Sequence, residues 1–190
     1  MTKAKHIHSS ADARRLARRR LPWMVFDYID GAAGSETGAV RNRAALDAAT
    51  LRPRILRNVA DRSLATTLFG VPAERPFGIA PMGMCNLSGQ GADLMLARLA
   101  ARYQVPHGVS TVASTPLEKI IDVAQGHAWF QIYFSGDGTG TFKLVDRARD
   151  AGYQTLIVTV DVPEVGRRPR ELRHGFKMPF RIGPRQFIDF

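Results

Sequence analysis

The spacing of apolar and polar residues changes character near Phe77. Before it, helical spacing predicts helices over three segments, 11–21, 23–29 and 36–48. Ser9 and Ser10 are suitable N-caps for the first of them. Short strands are predicted at 51–56 and 63–69. Because strand and helix do not alternate here, we expect a disordered basic arm over 1–10 and an N-terminal helical and β extension over 11–76.

From Phe77 onward, short apolar runs alternate with longer amphipathic segments. Strands are predicted at 77–80, 107–110 and 128–133 and from Thr155, and helices at 91–103, 116–124 and 142–151. The strands end at intervals of 29, 21 and 29 residues, the spacing of a βα repeat in a parallel sheet. No G-x-G-x-x-G follows the first strand, which disfavours a dinucleotide-binding sheet. The predicted fold is therefore α/β, a (β/α)8 TIM barrel of which 77–190 supply the first four strands.

The last of these strands carries unusual polar residues. Its six opening residues, from Thr155, are almost all aliphatic or β-branched, which predicts a strand buried on both faces. Thr159 and Asp161 lie two positions apart and so point the same way, and a buried Asp161 needs a partner. An arginine pair, Arg167 and Arg168, follows in the loop. One interpretation of this stretch is a binding site for an anionic substrate. The alternative is that Asp161 only caps the loop and that the two arginines are solvated.

Polar residues recur at the carboxyl ends of three of the four predicted strands, where the active sites of such barrels lie. The four strand ends carry Pro81-Met82-Gly83-Met84, Ser110-Thr111, Gln131-Ile132-Tyr133 and Thr159-Val160-Asp161. Gln131 is the hardest to explain by packing alone, because a buried amide must find hydrogen-bond partners. Hydroxyls and an amide around a flat pocket can bind the edge of a heteroaromatic ring.

The charge of the chain is concentrated near its two ends. Of the net charge of +10, residues 1–20 carry +6, residues 167–190 carry +5, and the remainder sums to −1. The basic segments allow a membrane- or RNA-binding module. Zinc-finger spacing and an RNA-binding aromatic signature are both absent from the sequence, so we expect no nucleic-acid partner. The remaining candidate partners of the basic segments are an anionic membrane surface and an anionic substrate.

The cysteine count and the length of the apolar runs indicate the cellular compartment of the protein. The single cysteine, Cys85, excludes an internal disulfide and fits a reducing compartment. The sequence has no apolar run of membrane-spanning length, and its basic N-terminus lacks the apolar centre of a signal peptide. We expect a cytoplasmic protein, with peripheral attachment to the inner membrane as an alternative, and no metal site.

Several motifs in order resemble one family, the FMN-dependent α-hydroxy-acid dehydrogenases and oxidases, which includes glycolate oxidase, flavin L-lactate dehydrogenases and mandelate dehydrogenase. The similar segments are Leu21-Pro22-x-Met24-Val25-Phe26-Asp27-Tyr28 with Gly31-Ala32, Leu51-Arg52-Pro53-Arg54-Ile55-Leu56, Ile79-Ala80-Pro81, Ser110-Thr111, Trp129-Phe130-Gln131-Ile132-Tyr133 and Thr159-Val160-Asp161. The resemblance implies FMN-dependent oxidation of an L-2-hydroxy acid, lactate- or mandelate-like, to the 2-oxo acid.

Position by position, the resemblance also implies roles. The flavin would rest on the backbone of Ala80, Pro81, Met82 and Gly83, and its ring would bind Ser110, Gln131 and Thr159. Tyr28 and Arg168 would hold the substrate carboxylate, and Tyr133 the reacting oxygen. Asp161 resembles the carboxylate that orients the family's catalytic histidine. The histidines at 6, 8, 107, 127 and 174 lie outside that histidine's motif, so we expect them to be surface or structural residues.

Two departures from the family pattern concern the pocket. Val112 stands where glycolate oxidase-like members carry tryptophan, and Gly83 where oxidases commonly carry alanine. Another FMN barrel, such as an isomerase or a nucleotide dehydrogenase, is a rival interpretation, although the Tyr28 and Arg168 pair favours a small carboxylate. Because four strands cannot close a barrel of eight, we expect a longer protein interrupted in the loop over 163–190. The C-terminal half would come from a second segment or chain, and we expect a homo-oligomer.

Overall fold

Two compact units make up the chain, one of residues 1–54 with 164–190 and one of residues 55–163. The structure, a computed structural model, describes residues 7–161, 164 and 166–174. Most of the predicted basic arm and most of the loop over 163–190 lie outside the described residues. The domain boundaries expected at residues 10 and 76 stay predictions.

The first unit contains four helices among its described residues: α1 Ser10–Arg18, α2 Trp23–Asp30, α3 Thr37–Asp47 and α7 Pro169–Arg173. Ser9 caps α1, because its Oγ accepts from the Asp12 N–H at 3.1 Å and donates to Asp12 Oδ2 at 2.8 Å. Helix α1 ends at Arg18, three residues before the predicted end. The sequence analysis missed α7, which begins with Pro169 at its first position and lies within the predicted loop.

The second unit is built on a four-stranded parallel sheet in the order β3-β4-β5-β6. The strands are β3 Ile79–Met82, β4 His107–Ser110, β5 Ala128–Tyr133 and β6 Leu156–Thr159. Helices α4 Ala92–Tyr103, α5 Leu117–Val123 and α6 Thr139–Asp150 connect successive strands. Sequential order with a helix in each crossover confirms the predicted βα repeat.

A single apolar cluster packs the helices onto one face of this sheet. Its buried members include Val109, Ile120, Phe130, Ile132 and Tyr153. Side chains alternate along β5, so Phe130 and Ile132 enter this core while Gln131 lies on the opposite face. The core therefore fixes the side of the sheet on which the strand-end polar groups are presented.

A small hairpin precedes the parallel sheet. Strands β1 Thr66–Leu68 and β2 Val71–Ala73 pair antiparallel across Phe69 and Gly70, which both have positive φ as a tight two-residue hairpin turn requires. The predicted strand at 63–69 is thus shorter, and its partner β2 was missed. The strand predicted at 51–56 is wrong, since this segment is irregular with Leu51 and Leu56 almost fully exposed.

Other boundaries also differ from the predictions. Strand β3 begins two residues later than predicted, with Phe77 outside it and exposed, and α6 begins at Thr139 rather than Phe142. Strand β6 was predicted to be buried on both faces, but Leu156 and Val158 are 43% and 51% exposed. Among the described residues β6 pairs only with β5, which leaves its other side uncovered. In the described part of the chain, no helix is both long and apolar enough to cross a bilayer.

Candidate active site

Strand register brings the predicted polar residues of three strands together. Ser110 is paired with Gln131 between β4 and β5, and Tyr133 with Thr159 between β5 and β6. These residues occupy the carboxyl ends of their strands, on the face opposite the apolar core. Ser110 and Gln131 are 5% and 3% exposed. The βα repeat therefore gathers a hydroxyl, an amide and a second hydroxyl on adjacent strands.

Gln131 is the centre of the hydrogen bonds at this edge. Its Nε2 donates to Thr159 Oγ1 at 2.7 Å, and its Oε1 accepts from the Thr111 N–H at 3.3 Å. The Thr111 hydroxyl donates to the backbone oxygen of Gln131 at 2.6 Å. These contacts satisfy the buried amide in part and connect β4, β5 and β6. They also hold the side chain of Gln131 in one orientation.

Two hydroxyls at this edge retain an unused donor. Ser110 Oγ accepts from the Val112 N–H at 3.2 Å, and Thr159 Oγ1 accepts from Gln131. Each hydroxyl also carries a proton, and neither donates to any acceptor among the described residues. The second Nε2 proton of Gln131 is also available. Such a row of donors suits the oxygen and nitrogen atoms along the edge of a heteroaromatic ring.

The end of β3 lies close to that of β4. A Cβ placed on Gly108 would come within 2.8 Å of the Pro81 ring and backbone, so glycine is needed for this approach. Just beyond the strands, the Met84 N–H donates to the Val112 oxygen at 2.9 Å. Ala80 and Met82 are exposed, while Pro81 and Gly83 are half-buried. The residues predicted to support a cofactor thus lie at the end of the strand beside the one that carries Ser110.

Tyr133 and Asp161 are the exposed members of the predicted set. Tyr133 is 47% exposed, and its backbone oxygen accepts from Thr141 Oγ1 at 3.4 Å. Asp161 is exposed just after β6, and the described residues provide it with no cationic or hydrogen-bonding partner. The expectation of a buried, paired carboxylate is therefore not met within the described part of the chain.

Tyr28 and Arg168 lie together in the first unit, although they are far apart in sequence. The Arg168 guanidinium carbon is 5.4 Å from the centre of the Tyr28 ring, a cation–π contact. Its Nη2 donates to the backbone oxygens of Tyr28 and Gly31 at 2.8 and 2.7 Å, and Nη1 lies 2.7 Å from Glu171. Arg168 is thus held against the end of α2 by backbone and side-chain contacts.

Further ion pairs hold α7 against α2. Arg170 Nη1 contacts Asp30 at 2.8 Å, its Nη2 contacts Glu36, and His174 is 2.7 Å from Asp27. The hydrogen bond from Arg14 lowers the pKa of Asp30, as does that from Arg170, against the opposing effect of burial. The Asp30 carboxylate therefore remains charged and pairs with Arg170 in the segment that carries Arg168.

A buried acidic residue on α4 was not among the predicted features. Asp93 is 2% exposed, and its Oδ2 has no hydrogen-bond partner among the described residues. Burial, together with Asp93, raises the pKa of the Cys85 thiol to about 11, and burial lowers the pKa of His107. An acidic residue in the first turn of a helix normally indicates a solvated position, so the sequence gives no signal of this burial.

Comparisons with known proteins agree with the geometry. Residues 17–190 match the family model described as FMN-dependent dehydrogenase. The chain is 40% identical over 171 residues to 4-hydroxymandelate oxidase of Amycolatopsis orientalis, covering 90% of this chain and 48% of that enzyme. It is 39% identical to L-lactate dehydrogenase of Pectobacterium atrosepticum, covering 91% of this chain and 45% of that enzyme.

Solved structures give the same result for the fold. The crystal structure of mandelate oxidase superposes with a TM-score of 0.85 at 40% identity, covering 90% of this chain and 50% of that one. Another structure of mandelate oxidase contains benzoyl-formic acid. The chain spans about half the length of the relatives that it matches. The four parallel strands and their helices are part of a (β/α) barrel, as predicted.

Proposed function

The chain belongs to the FMN-dependent dehydrogenase family, and we propose that it contributes the flavin- and substrate-binding residues of an enzyme that oxidises an L-2-hydroxy acid to the 2-oxo acid. The observation that carries this proposal is the Ser110, Gln131 and Thr159 row, with its unused donors at the carboxyl ends of adjacent strands. Nothing observed favours an RNA-binding module or another class of FMN barrel over this activity.

The flavin would be held by two sets of groups. Ser110, Gln131 and Thr159 would donate to the polar edge of the ring, and the backbone from Ala80 to Gly83 would lie against it. When bound, FMN supplies the two-electron acceptor for the oxidation. The Gln131 side chain is oriented before any ligand arrives, because its Oε1 accepts from the Thr111 N–H and its Nε2 donates to Thr159 Oγ1.

Tyr28 and Arg168 are proposed to bind the substrate carboxylate. Arginine offers a planar fork that matches a carboxylate, and the contacts of Arg168 with the Tyr28 and Gly31 oxygens restrict how that fork turns. Glu171 already pairs with Nη1, so a bound carboxylate would approach Nε or replace Glu171. Arg168→Lys should weaken binding of all 2-hydroxy acids together, since lysine keeps the charge and loses the fork.

Tyr133 and Asp161 are proposed to act at the reacting oxygen. The Tyr133 hydroxyl would donate to the substrate oxygen as charge develops on it, which is where such a contact is most effective. Asp161 would stabilise a cationic base that takes the hydroxyl proton. Its exposure beside β6 leaves it accessible to such a group.

Strand edges support the proposal that a further segment completes the barrel. Among the described residues β3 pairs only with β4 and β6 only with β5, while Val158 and Val160 are 51% and 81% exposed. Unpaired backbone groups and apolar side chains at a strand edge are normally covered by another strand. We propose that a second segment or chain pairs there; the homo-oligomeric state stays a prediction.

Peripheral attachment of the protein to an anionic membrane surface is a secondary proposal. Helix α1 presents exposed Arg15, Arg18 and Arg19, and the Arg18 guanidinium lies 5.6 Å from the ring of exposed Trp23. Cationic side chains beside an interfacial tryptophan suit an anionic bilayer, at about 1 kcal/mol for each charge. Co-sedimentation with phosphatidylserine vesicles at low salt tests it, and failure to co-sediment removes the proposal.

Product analysis tests the main proposal. The purified full-length protein is expected to retain FMN and to convert L-lactate, L-mandelate or glycolate to the 2-oxo acid with an artificial electron acceptor. Propionate and phenylacetate, which lack the 2-hydroxyl group, are the matched controls and should give no product. A flavin-free protein, or one that gives no 2-oxo acid from any member of the panel, would refute the proposed activity.

A further inference from the structure

The connection between β5 and α6 determines where the Tyr133 side chain lies. Tyr133 is the last residue of β5, and residues 134–138 connect it to the start of α6 at Thr139. Tyr133 is 47% exposed, so packing restrains its ring only in part. The direction in which the ring points therefore depends on the backbone at the end of the strand.

The Thr141 hydroxyl bridges this strand end to the first turn of α6. Thr141 is 7% exposed, and its Oγ1 accepts from the Ser135 N–H at 3.2 Å and donates to the Tyr133 oxygen at 3.4 Å. The second contact is the longer and weaker of the two. Together they use the proton and an acceptor site of one buried hydroxyl, and they restrain the backbone on both sides of residue 134.

The turn beyond this bridge has a defined shape. Gly138 has a φ of +86°, and a Cβ there would stand 2.8 Å from the Phe134 ring and 3.0 Å from the Phe142 ring. The two rings pack edge to face with their centres 6.3 Å apart. The Gly138 N–H donates to the Ser135 oxygen at 3.1 Å. The start of the helix that carries Thr141 is therefore held close to the end of β5.

We propose that Thr141 is a positioning residue, whose hydroxyl fixes the end of β5 so that the Tyr133 hydroxyl meets the reacting oxygen of the substrate. This inference rests on the proposed function, which gives Tyr133 that contact. Because backbone atoms of Tyr133 and Ser135 occupy its hydroxyl, Thr141 acts on the substrate through Tyr133. A misplacement of about 1 Å can cost about 100-fold in rate, so a modest restraint on the backbone has a measurable effect on turnover.

A double-mutant cycle in the full-length flavoprotein tests the proposal. Thr141→Val removes the hydroxyl at nearly constant volume, Thr141→Ser retains it, and each is combined with Tyr133→Phe. Thr141→Val should lower kcat by about tenfold with little change in KM, and Thr141→Ser should keep kcat within about twofold of the wild type. In the Tyr133→Phe background Thr141→Val should change kcat by less than about twofold, because the hydroxyl that it positions is absent. An equal reduction in both backgrounds, or an unchanged kcat in Thr141→Val, would overturn the proposal.

Amide hydrogen exchange at Ser135 provides a measurement that needs no turnover. Its N–H is the donor to Thr141 Oγ1, so it should exchange faster in Thr141→Val and at the wild-type rate in Thr141→Ser. Thr139→Val is the matched control, since the Thr139 hydroxyl donates to the exposed Asp137 at 2.9 Å, and it should change neither kcat nor this exchange. Equal exchange at Ser135 in wild type and Thr141→Val would show that the hydroxyl does not restrain the strand end.

Two further outcomes separate folding and activity from positioning. If Thr141→Val does not fold, Thr141→Ala takes its place in the cycle, and failure of both variants to fold overturns the proposal, because Thr141 is then required for folding. If the wild type oxidises no hydroxy acid, the proposed function is refuted and the positioning role with it. Turnover that is insensitive to Thr141→Val refutes the positioning role alone.

Discussion

Gln131 shows how one buried amide organises the polar strand edge that is proposed to bind the flavin. Its side chain connects Thr111, just after β4, to Thr159 on β6, and these two strands lie on either side of β5 in the sheet. A buried amide without partners costs roughly 1–3 kcal/mol, so the network is also a condition for stability. The same contacts orient the protons left for a ligand, which is how folding prepares the site in advance.

At Tyr133, replacement by phenylalanine in the complete enzyme should lower kcat by about 10²- to 10³-fold while changing KM little. The hydroxyl would stabilise charge that develops only in the transition state, worth ~2–4 kcal/mol. Steady-state kinetics with L-lactate and L-mandelate would measure both constants.

Tyr103→Phe provides the matched control for this prediction. Tyr103 lies at the end of α4, and its ring stacks against Arg75 and Arg102 without a hydrogen bond from its hydroxyl among the described residues. The control should leave both kinetic constants unchanged. If Tyr133→Phe raises KM at constant kcat, the hydroxyl is a ground-state contact and its proposed role is wrong.

His107 predicts a pH dependence of stability. Burial lowers its pKa below 6.5, although nearby Asp93 acts in the opposite direction. The folded state therefore keeps a neutral imidazole where the unfolded chain binds a proton. The free energy of unfolding should be highest above pH 6.5. As the pH decreases below 6.5, it should decrease by at most about 1.4 kcal/mol per pH unit, until the pH reaches the lower pKa that His107 has in the folded state.

Urea unfolding between pH 5 and 8 measures this slope. His107→Gln should reduce it, because the substituted side chain does not titrate, and the half-exposed His127 gives the matched control His127→Gln. An equal slope in wild type and His107→Gln would show that other groups cause the pH dependence.

At the scale of elements, the repeating part of the chain was predictable and the irregular part was not. Apolar runs at regular intervals identified β4, β5 and β6 and their helices, because packing onto one core imposes that spacing. The segment at 51–56 was predicted as a strand and forms none; Pro53 lacks a backbone donor for a sheet, and both leucines are exposed. Strand β2, with Pro72 at its centre, and the five-residue α7 were missed, because each depends on tertiary contacts rather than on a long periodic pattern.

The same distinction applies to the candidate site. Strand register follows from the βα repeat, so the convergence of Ser110, Gln131 and Thr159 could be predicted. The closeness of Tyr28 to Arg168 is a contact across 140 residues, which the family resemblance suggested and periodicity does not reveal. The burial of Asp93 depends on side-chain packing, and no local pattern indicates it.

Helix α7 should depend on Arg170 for its position. Arg170→Met removes its contacts with Asp30 and Glu36 and leaves two partly buried carboxylates without this partner. We expect a lower unfolding free energy and faster amide hydrogen exchange in α7. Arg173→Met, an exposed change in the same helix, is the control and should have little effect. Equal exchange in both variants would show that these ion pairs do not position α7.

At the scale of the whole molecule, the chain presents a prepared polar edge on a sheet whose outer strands have unpaired sides among the described residues. Relatives about twice as long share its fold at 40% identity. A second segment added along β6 would cover Val158 and Val160. Under the proposed function, the reacting groups would lie where this chain meets that segment.

Anaerobic mixing of the purified full-length protein with L-2-hydroxy acids is the direct test of whether its bound flavin oxidises these substrates. The absorbance of the bound flavin in the visible range reports the first half of the reaction without any assumption about the electron acceptor. We predict bleaching by L-lactate or L-mandelate, and no bleaching by the D-enantiomers or by propionate. A flavin that stays oxidised with every L-2-hydroxy acid, or a protein that binds no flavin, would contradict the account.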